Sequence, residues 1–217
     1  MNTELARYNM IEQQIRPWDV LDAGVLELLA VMRREDFVPP ASRALAFNDM
    51  GLPLPGGQFM LEPKIEARLL QELAVAKHET VLEVGAGSGY MAALLGHRAQ
   101  SVLTLETRPE LVAMATENLR RAGLHNVRVL QADGSRGHPA EAPFDVIVLS
   151  GSVSEVPKVI LDQLKVGGRL AAIVGQEPVM RALLFTRIDH HDIRTDVLFD
   201  TVAPRLDGFA EPTRFKF

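Results

Sequence analysis

A glycine-rich stretch that begins near residue 81 contains the residues whose types and spacing point most clearly to chemistry. The apolar run 81–84 leads into three glycines separated by single residues, at Gly85, Gly87 and Gly89. Glycine lets the backbone approach a ligand closely and adopt angles that other residues avoid. Since ligands of open α/β sheets bind at the carboxyl ends of the strands, we predict a ligand site at this turn.

The spacing of these glycines differs from two common phosphate-binding motifs. The dinucleotide motif G-x-G-x-x-G needs a glycine where this sequence has Tyr90, and the bulky side chain there disfavours an NAD-dependent oxidoreductase. No lysine follows the glycines, as it would in the P-loop motif G-x-x-x-x-G-K-[ST]. The pattern therefore favours a nucleoside-like ligand over a phosphate ligand.

Two acidic residues follow the next two predicted strands. Glu106 can accept hydrogen bonds from both hydroxyls of a ribose, although an exposed acid at a strand end is the alternative. Asp133 can accept a bond from an exocyclic amine while Gly134 lets a flat ring lie close, and a plain turn is the alternative. The ends of neighbouring strands lie side by side, so we expect these groups and the glycine turn to line one cleft.

Composition excludes several other kinds of chemistry. The chain of 217 residues has no cysteine, which rules out disulfides, cysteine-ligated metal sites and a thiol nucleophile. Its six histidines form no H-E-x-x-H or similar metal spacing, so we predict no metal site. With 23 basic and 28 acidic side chains the net charge is −5, which argues against a nucleic-acid partner held mainly by electrostatics.

The sequence also lacks the features of a membrane or exported protein. No uncharged stretch reaches the roughly 18 residues that span a bilayer. The first residues, MNTELAR, carry an early charge and no apolar leader. We therefore expect a cytoplasmic protein without a membrane partner.

Strands and helices alternate from residue 80 onwards, which predicts an open, mostly parallel sheet with helices on both faces. The predicted strands are 81–84, 101–105, 127–130, 144–149 and 169–174, and the predicted helices are 89–97, 108–122 and 157–165. Two further extended runs, 183–188 and 195–202, are expected to form an antiparallel pair at the edge of the sheet.

The residues before this region are predicted to be mainly helical. Apolar residues have helical spacing in 10–15, 21–32 and 64–73, and a long ordered loop is expected at 48–62. We predict a single domain over 1–217. Its parts are a helical cap with the substrate loop (1–78), a cofactor-binding core (79–175) and C-terminal strands (176–217).

These features together resemble the class I S-adenosylmethionine-dependent methyltransferases, which have a Rossmann-like fold. Glu83 and the three glycines are similar to the first motif of that class, Glu106 to its ribose-binding acid and Asp133 to its adenine-side residue. The resemblance implies S-adenosyl-L-methionine as the cofactor. The cofactor-binding residues that it implies are Glu83, Gly85, Ala86, Gly87, Gly89, Tyr90, Glu106, Thr107, Asp133, Gly134 and Ser150.

A longer set of motifs, over about residues 8–206, resembles the protein-L-isoaspartate O-methyltransferases. The matching segments are F-V-P at 37–39, A-F-N-D at 46–49, L-P-L at 52–54, G-Q at 57–58, L-H-N-V at 124–127, D-G at 133–134, A-P-F-D at 142–145, E-V-P at 155–157, and G-G at 167–168 with V-G at 174–175. This resemblance implies methylation of a carboxylate on damaged aspartyl residues, with a protein or peptide as the partner.

The predicted substrate loop, Gln58, Phe59, Met60 and Leu61, departs from the family pattern G-Q-T-[IV]-S-Q-P. Phe59 replaces the threonine, and Leu61 replaces the serine that the family's active site uses, so Leu61 itself has no such role. The family's T-A-A-P-P segment reads S-G-S-V-S at 150–154. A lost hydrogen bond to a charged group costs about 1.5–3 kcal/mol, so we expect weak isoaspartyl activity.

Three functions therefore remain open at this stage. The first is an isoaspartyl methyltransferase, and the second is a methyltransferase for another, less polar acceptor that is an unknown small molecule. The third is a non-catalytic module that binds the cofactor and a protein partner.

Overall fold

The computed structural model describes residues 2–211, and within that range it has six α-helices and nine β-strands, together with short 3-10 and π-helical turns. The helices are α1 (Thr3–Met10), α2 (Ala23–Val31), α3 (Pro63–Leu73), α4 (Tyr90–Arg98), α5 (Pro109–Arg121) and α6 (Lys158–Leu161). The strands are β1 (Leu52–Pro53), β2 (Phe59–Met60), β3 (Thr80–Val84), β4 (Ser101–Glu106), β5 (Val127–Gln131), β6 (Phe144–Val153), β7 (Leu164–Gln176), β8 (Val179–Arg187) and β9 (Ile193–Thr201).

Strands β3 to β9 form one seven-stranded sheet with the order β5-β4-β3-β6-β7-β8-β9. The first five strands in this order pair in parallel, and β8 and β9 pair antiparallel at the edge. Apolar side chains of the central strands are buried on both faces, as a parallel sheet between helices requires. The predicted Rossmann-like sheet with an antiparallel C-terminal edge is confirmed.

The turn between the two edge strands is built around one carboxylate. Asp189 accepts hydrogen bonds from the backbone N–H groups of His191, at 2.7 Å, and Asp192, at 2.9 Å. The two strands that this turn connects form the predicted antiparallel pair, although both begin earlier than predicted.

The segment between β6 and β7 differs most from prediction. The helix predicted over 157–165 is only the single turn α6, because Leu164 already pairs with Phe144 in the sheet. Strand β7 therefore begins before the two glycines that were expected to precede it. Strand β6 continues to Val153, so Ser150 lies within the strand rather than after it.

The N-terminal cap is helical, as predicted, but it contains two irregular turns. A π-helical turn, Ile11–Ile15, and a 3-10 turn, Arg16–Trp18, extend the first helix beyond the predicted helical region 10–15. Asp22 caps the next helix by accepting a hydrogen bond from the Val25 N–H at 2.8 Å. Apolar side chains of the cap join the core against one face of the sheet.

The predicted loop 48–62 is partly regular. Strands β1 and β2 form a short antiparallel hairpin, with Leu52 opposite Met60, and a 3-10 turn at Pro55–Gly57 connects them. The hairpin brings residues 58–61 to the carboxyl ends of the parallel strands. Within residues 2–211, no helix is both long enough and apolar enough to cross a membrane.

Candidate functional site

A cleft opens at the carboxyl ends of the parallel strands, where the sequence predicts the ligand site. It encloses about 480 Å³, including the part that is open to solvent. The lining residues come from the strand ends, the substrate loop and the C-terminal segment: Leu54, Gln58, Phe59, Val84, Gly85, Gly87, Leu105, Glu106, Thr107, Leu111, Ala132, Gly134, Ser150, Leu206 and Asp207.

The glycine turn forms the floor of this cleft. Gly89 has a φ of +84°, and a Cβ atom there would lie 3.2 Å from the Ala115 Cα of α5. Gly134 allows another close approach, because a Cβ atom would lie 2.3 Å from a methyl group of Val84. The glycines therefore let strand ends and helices meet closely at this end of the sheet.

Glu106 projects from the end of β4 and is held by backbone N–H groups. One carboxylate oxygen accepts from the Gly87 N–H at 3.0 Å and the other from the Arg108 N–H at 3.0 Å. The Thr107 hydroxyl also donates to this carboxylate, at 3.4 Å. A carboxylate offers about four acceptor positions, so Glu106 can still accept a hydrogen bond from a ligand. The next helix begins one residue later than predicted, with Arg108 at its N-cap.

Glu83 lies on the central strand β3 and is fully buried. Its oxygens accept hydrogen bonds from the hydroxyls of Ser150 on β6, at 2.7 Å, and of Thr104 on β4, at 2.6 Å. Burial raises the pKa of the Glu83 carboxyl to about 8, although these two hydrogen bonds oppose the rise. The free protein therefore holds an acid here that is mostly protonated at neutral pH.

The C-terminal segment 205–209 covers the outer side of the cleft. The Leu206 side chain lies against Gly85, and a Cβ atom at Gly208 would lie 2.6 Å from a carboxylate oxygen of Asp133. Asp133 itself accepts a hydrogen bond from the Ser135 N–H at 2.9 Å. The predicted adenine-side acid thus faces the covering segment instead of lining the cleft directly.

A small polar cluster joins this covering segment to the substrate loop. Arg108 donates from Nε to Asp207 at 2.8 Å and from Nη1 to the Gly56 carbonyl at 2.9 Å. The Gln58 amide lies 3.4 Å from the same carboxylate. Sequence reasoning missed Leu206, Asp207 and Arg108, because no local pattern links residue 207 to residues 56 and 108.

A smaller pocket adjoins the cleft beneath the substrate loop and has a volume of about 280 Å³, including the part that is open to solvent. It shares Phe59, Gly85, Gly87 and Ser150 with the cleft, and its other lining residues are Met60, Leu61, Glu66, Glu83, Ala86, Ser88, Tyr90 and Met91. In the loop, Phe59 is about half exposed, whereas Met60 and Leu61 are buried. The loop therefore presents an apolar surface to the pocket.

A buried ion pair lies behind this loop and was not predicted from the sequence. Arg34, which is fully buried, forms a salt bridge with Glu66 in the first turns of α3. Burial raises the pKa of the Glu66 carboxyl to about 7, and the charge of Arg34 opposes that rise. The available signal was Glu66 itself, an acid that the helical spacing of 64–73 places next to apolar residues.

Most of the predicted site residues fall into two groups, whereas Gly89 and Asp133 line neither the cleft nor the smaller pocket. Those that line the cleft are Gln58, Phe59, Gly85, Gly87, Glu106, Thr107, Gly134 and Ser150. Those that line only the smaller pocket are Met60, Leu61, Glu83, Ala86 and Tyr90. Tyr90 is 1% exposed and packs edge-on against Phe37 with ring centroids 5.4 Å apart, so its side chain belongs to the cap interface.

Comparison with known sequences places this chain in a family. The family model described as protein-L-isoaspartate(D-aspartate) O-methyltransferase matches residues 6–202. A protein-L-isoaspartate O-methyltransferase of Methanoculleus marisnigri is 41% identical over 169 residues, which is 78% of this chain and 77% of that protein. A protein-L-isoaspartate O-methyltransferase 2 of Pelobacter propionicus is 38% identical over 191 residues, covering 88% and 85%.

Solved structures agree on the fold. A protein-L-isoaspartate O-methyltransferase superposes with a TM-score of 0.78 at 25% identity, covering 95% of this chain and 66% of that one. A Plasmodium falciparum structure, described as a putative protein-L-isoaspartate O-methyltransferase in complex with S-adenosyl-L-homocysteine, gives a TM-score of 0.76 at 21% identity. This superposition covers 95% of this chain and 99% of the Plasmodium falciparum chain.

The sheet, the glycine turn and the cleft at the strand ends define a class I methyltransferase that uses S-adenosyl-L-methionine. Within that class, the chain belongs to the protein-L-isoaspartate(D-aspartate) O-methyltransferase family. The predictions of family, enzyme class and cofactor are confirmed.

Proposed function

We propose that this enzyme transfers a methyl group from S-adenosyl-L-methionine to the carboxylate of isoaspartyl residues in proteins or peptides. The observation that carries the proposal is that the cleft and the smaller pocket beneath residues 58–61 lie side by side and share Phe59, Gly85, Gly87 and Ser150. The cleft would take the nucleoside, and the adjoining pocket would take a small side chain. The family match over residues 6–202 includes the lining residues of both parts except Leu206 and Asp207.

The cleft has the chemistry to hold this cofactor, which supplies an activated methyl group on a positively charged sulfur. Glu106 would accept hydrogen bonds from the ribose hydroxyls, and the backbone of the glycine turn would contact the ligand directly. Glu83 would face the cationic amino-acid portion of the cofactor. The remaining proposed contacts that line the cleft or the smaller pocket are Ala86, Tyr90, Thr107, Gly134 and Ser150. Asp133, which faces Gly208 of the covering segment, is proposed for the adenine side.

The proposed acceptor needs little proton chemistry from the protein. A carboxylate is already ionised at neutral pH, so no general base has to activate it. What the chain contributes is alignment of the acceptor with the methyl group and exclusion of water by the loop and the covering segment 205–209. This is consistent with a pocket in which no histidine is among the lining residues.

Transfer of a labelled methyl group to two matched peptides tests this function. The peptides have one sequence and differ only in an aspartyl or an isoaspartyl linkage. We expect slow, base-labile labelling of the isoaspartyl peptide alone. Calorimetry with S-adenosyl-L-homocysteine checks the cofactor site separately, so binding without any labelling would contradict the proposed acceptor.

A second candidate is a methyltransferase for a less polar acceptor. Phe59 and Leu61 place aromatic and aliphatic groups where the family pattern has hydroxyls, and Leu61 is buried against the pocket. A carboxylate would find few hydrogen-bond donors there. If a panel of neutral hydroxyl and amine acceptors is labelled and the isoaspartyl peptide is not, this candidate replaces the first. Cofactor binding without any transfer would instead favour a non-catalytic module.

A further inference from the structure

Arg34 connects four segments of the chain at one point behind the substrate loop. Its Nη1 atom pairs with Glu66 of α3, and its Nη2 atom donates to the Leu61 carbonyl at 2.7 Å. Its Nε atom donates to the Ala46 carbonyl at 3.1 Å. The plane of the guanidinium lies over the Tyr90 ring, with 4.7 Å from its central carbon to the ring centroid.

Stability alone is a weak reason for such an arrangement. Removing two charges from water is costly, and replacing a buried ion pair with apolar residues of similar volume is often neutral or stabilising. What apolar residues cannot provide is a directional hydrogen bond to a backbone carbonyl. Arg34 makes such a bond at Leu61, the loop residue at the family's serine position.

We propose that Arg34, held in place by Glu66, is a positioning residue that fixes the backbone of residues 59–61 against the methyl-transfer site. This inference rests on the proposed function for its kinetic consequence. The planar guanidinium can bind Glu66 and the Leu61 carbonyl at the same time, which the point charge of a lysine does less well. The ion pair thus fixes the position of the loop relative to α3 and the cap.

A second ion pair at the opposite end of α3 offers a matched control. Arg169 pairs with both oxygens of Glu79 and donates to the carbonyls of Leu73, at 2.6 Å, and Ala74, at 2.9 Å. Like Arg34, Arg169 binds one glutamate and two backbone carbonyls. It lies at the amino ends of the strands, away from the cleft and the pocket.

The test replaces each pair with apolar residues of similar size. Arg34→Met/Glu66→Leu is compared with Arg169→Met/Glu79→Leu, and thermal unfolding verifies that both variants fold. We expect the first variant to lower kcat/KM for the isoaspartyl peptide by about 10- to 100-fold, the range for a lost hydrogen bond from a charged group. Its Kd for S-adenosyl-L-homocysteine should change less than about twofold, and the control variant should keep both values.

Hydrogen exchange of the backbone amides in residues 57–62 supplies a readout that needs no acceptor. We expect faster exchange in the Arg34→Met/Glu66→Leu variant and unchanged exchange in the control. If the wild-type protein shows no isoaspartyl turnover, the proposed function fails while this measurement still decides the role of Arg34. Unchanged exchange together with unchanged kcat/KM would overturn the inference.

A conservative variant covers the case in which the double variant does not fold. Arg34→Lys keeps a cation beside Glu66 but cannot make all three directional bonds. Loop exchange should rise and kcat/KM should fall, each by less than in the double variant. Wild-type exchange in a folded Arg34→Lys protein would show that the Leu61 bond does not hold the loop.

Discussion

The cofactor half and the acceptor half of the site are built in different ways. The cofactor half uses a strand–turn–helix unit and the ends of neighbouring strands, and its main ligand groups lie within residues 83–134. The proposed acceptor half combines the loop residues 59–61 and Glu66 of α3, which line the smaller pocket, with Arg34, which binds both from behind. The comparison shows that the first region is encoded by residues close in sequence, whereas the second depends on contacts between distant segments.

The largest expected effect falls on the cofactor half. Glu106→Ala removes the proposed ribose acceptor together with the partner of the Gly87 and Arg108 N–H groups. We expect the Kd for S-adenosyl-L-homocysteine to rise roughly 100-fold or more, as measured by calorimetry. Glu117→Ala on the exposed face of α5 is the control, and equal Kd values for the two variants would contradict the assignment of Glu106.

A second experiment changes two residues of the substrate loop to the family pattern and leaves the cofactor-binding residues unchanged. Phe59→Thr/Leu61→Ser restores the hydroxyls of the family pattern next to the pocket. We expect kcat/KM for the isoaspartyl peptide to rise about tenfold, since a hydrogen bond to a charged group is regained, while the cofactor Kd stays the same. Phe59→Thr alone separates the two positions. No gain in the double variant would show that the loop hydroxyls are not what limits this activity.

The buried acid of the cofactor half should make stability depend on pH. Burial raises the pKa of Glu83 to about 8 from the ordinary value of 4.5. Between pH 4.5 and pH 8 the folded protein keeps a proton on Glu83 that the unfolded chain has already released. The free energy of unfolding therefore decreases as the pH rises through this range. Glu83→Gln should therefore raise the Tm of the cofactor-free protein more at pH 8 than at pH 5.5, as measured by calorimetric scans. A pH-independent difference would argue against the raised pKa.

The smallest expected effect concerns the ion pair between Arg108 and Asp207 at the mouth of the cleft. Arg108→Ala removes the link from Asp207 to the Gly56 carbonyl across the mouth of the cleft. Because this ion pair is solvent-exposed, we expect only a few-fold faster release of S-adenosyl-L-homocysteine. Stopped-flow measurements at low and high salt would check this, since added salt should accelerate release from the wild type and change the variant little. An equal salt effect in both proteins would show that the contact does not retain the cofactor.

Most of the sheet and the cofactor half could be predicted from sequence, and the reasons are local. Continuous apolar runs such as 144–149 indicate strands buried on both faces, and glycine spacing marks the turn. The prediction was wrong for 157–165, where pairing of Leu164 with Phe144 overrides the helical spacing. It also missed the hairpin at 52–60, whose strands are only two residues long.

The sequence by itself determined the fold class, the glycine turn and the acids at the strand ends, because each of these groups directly follows or ends one of the alternating strands. Only the tertiary structure decided that Arg34 binds the Leu61 carbonyl, that Glu66 neutralises it, and that segment 205–209 covers the cleft. These contacts join residues far apart in the chain, and no helical or strand periodicity relates their positions. The acceptor side of the site therefore depends on how the cap packs on the sheet.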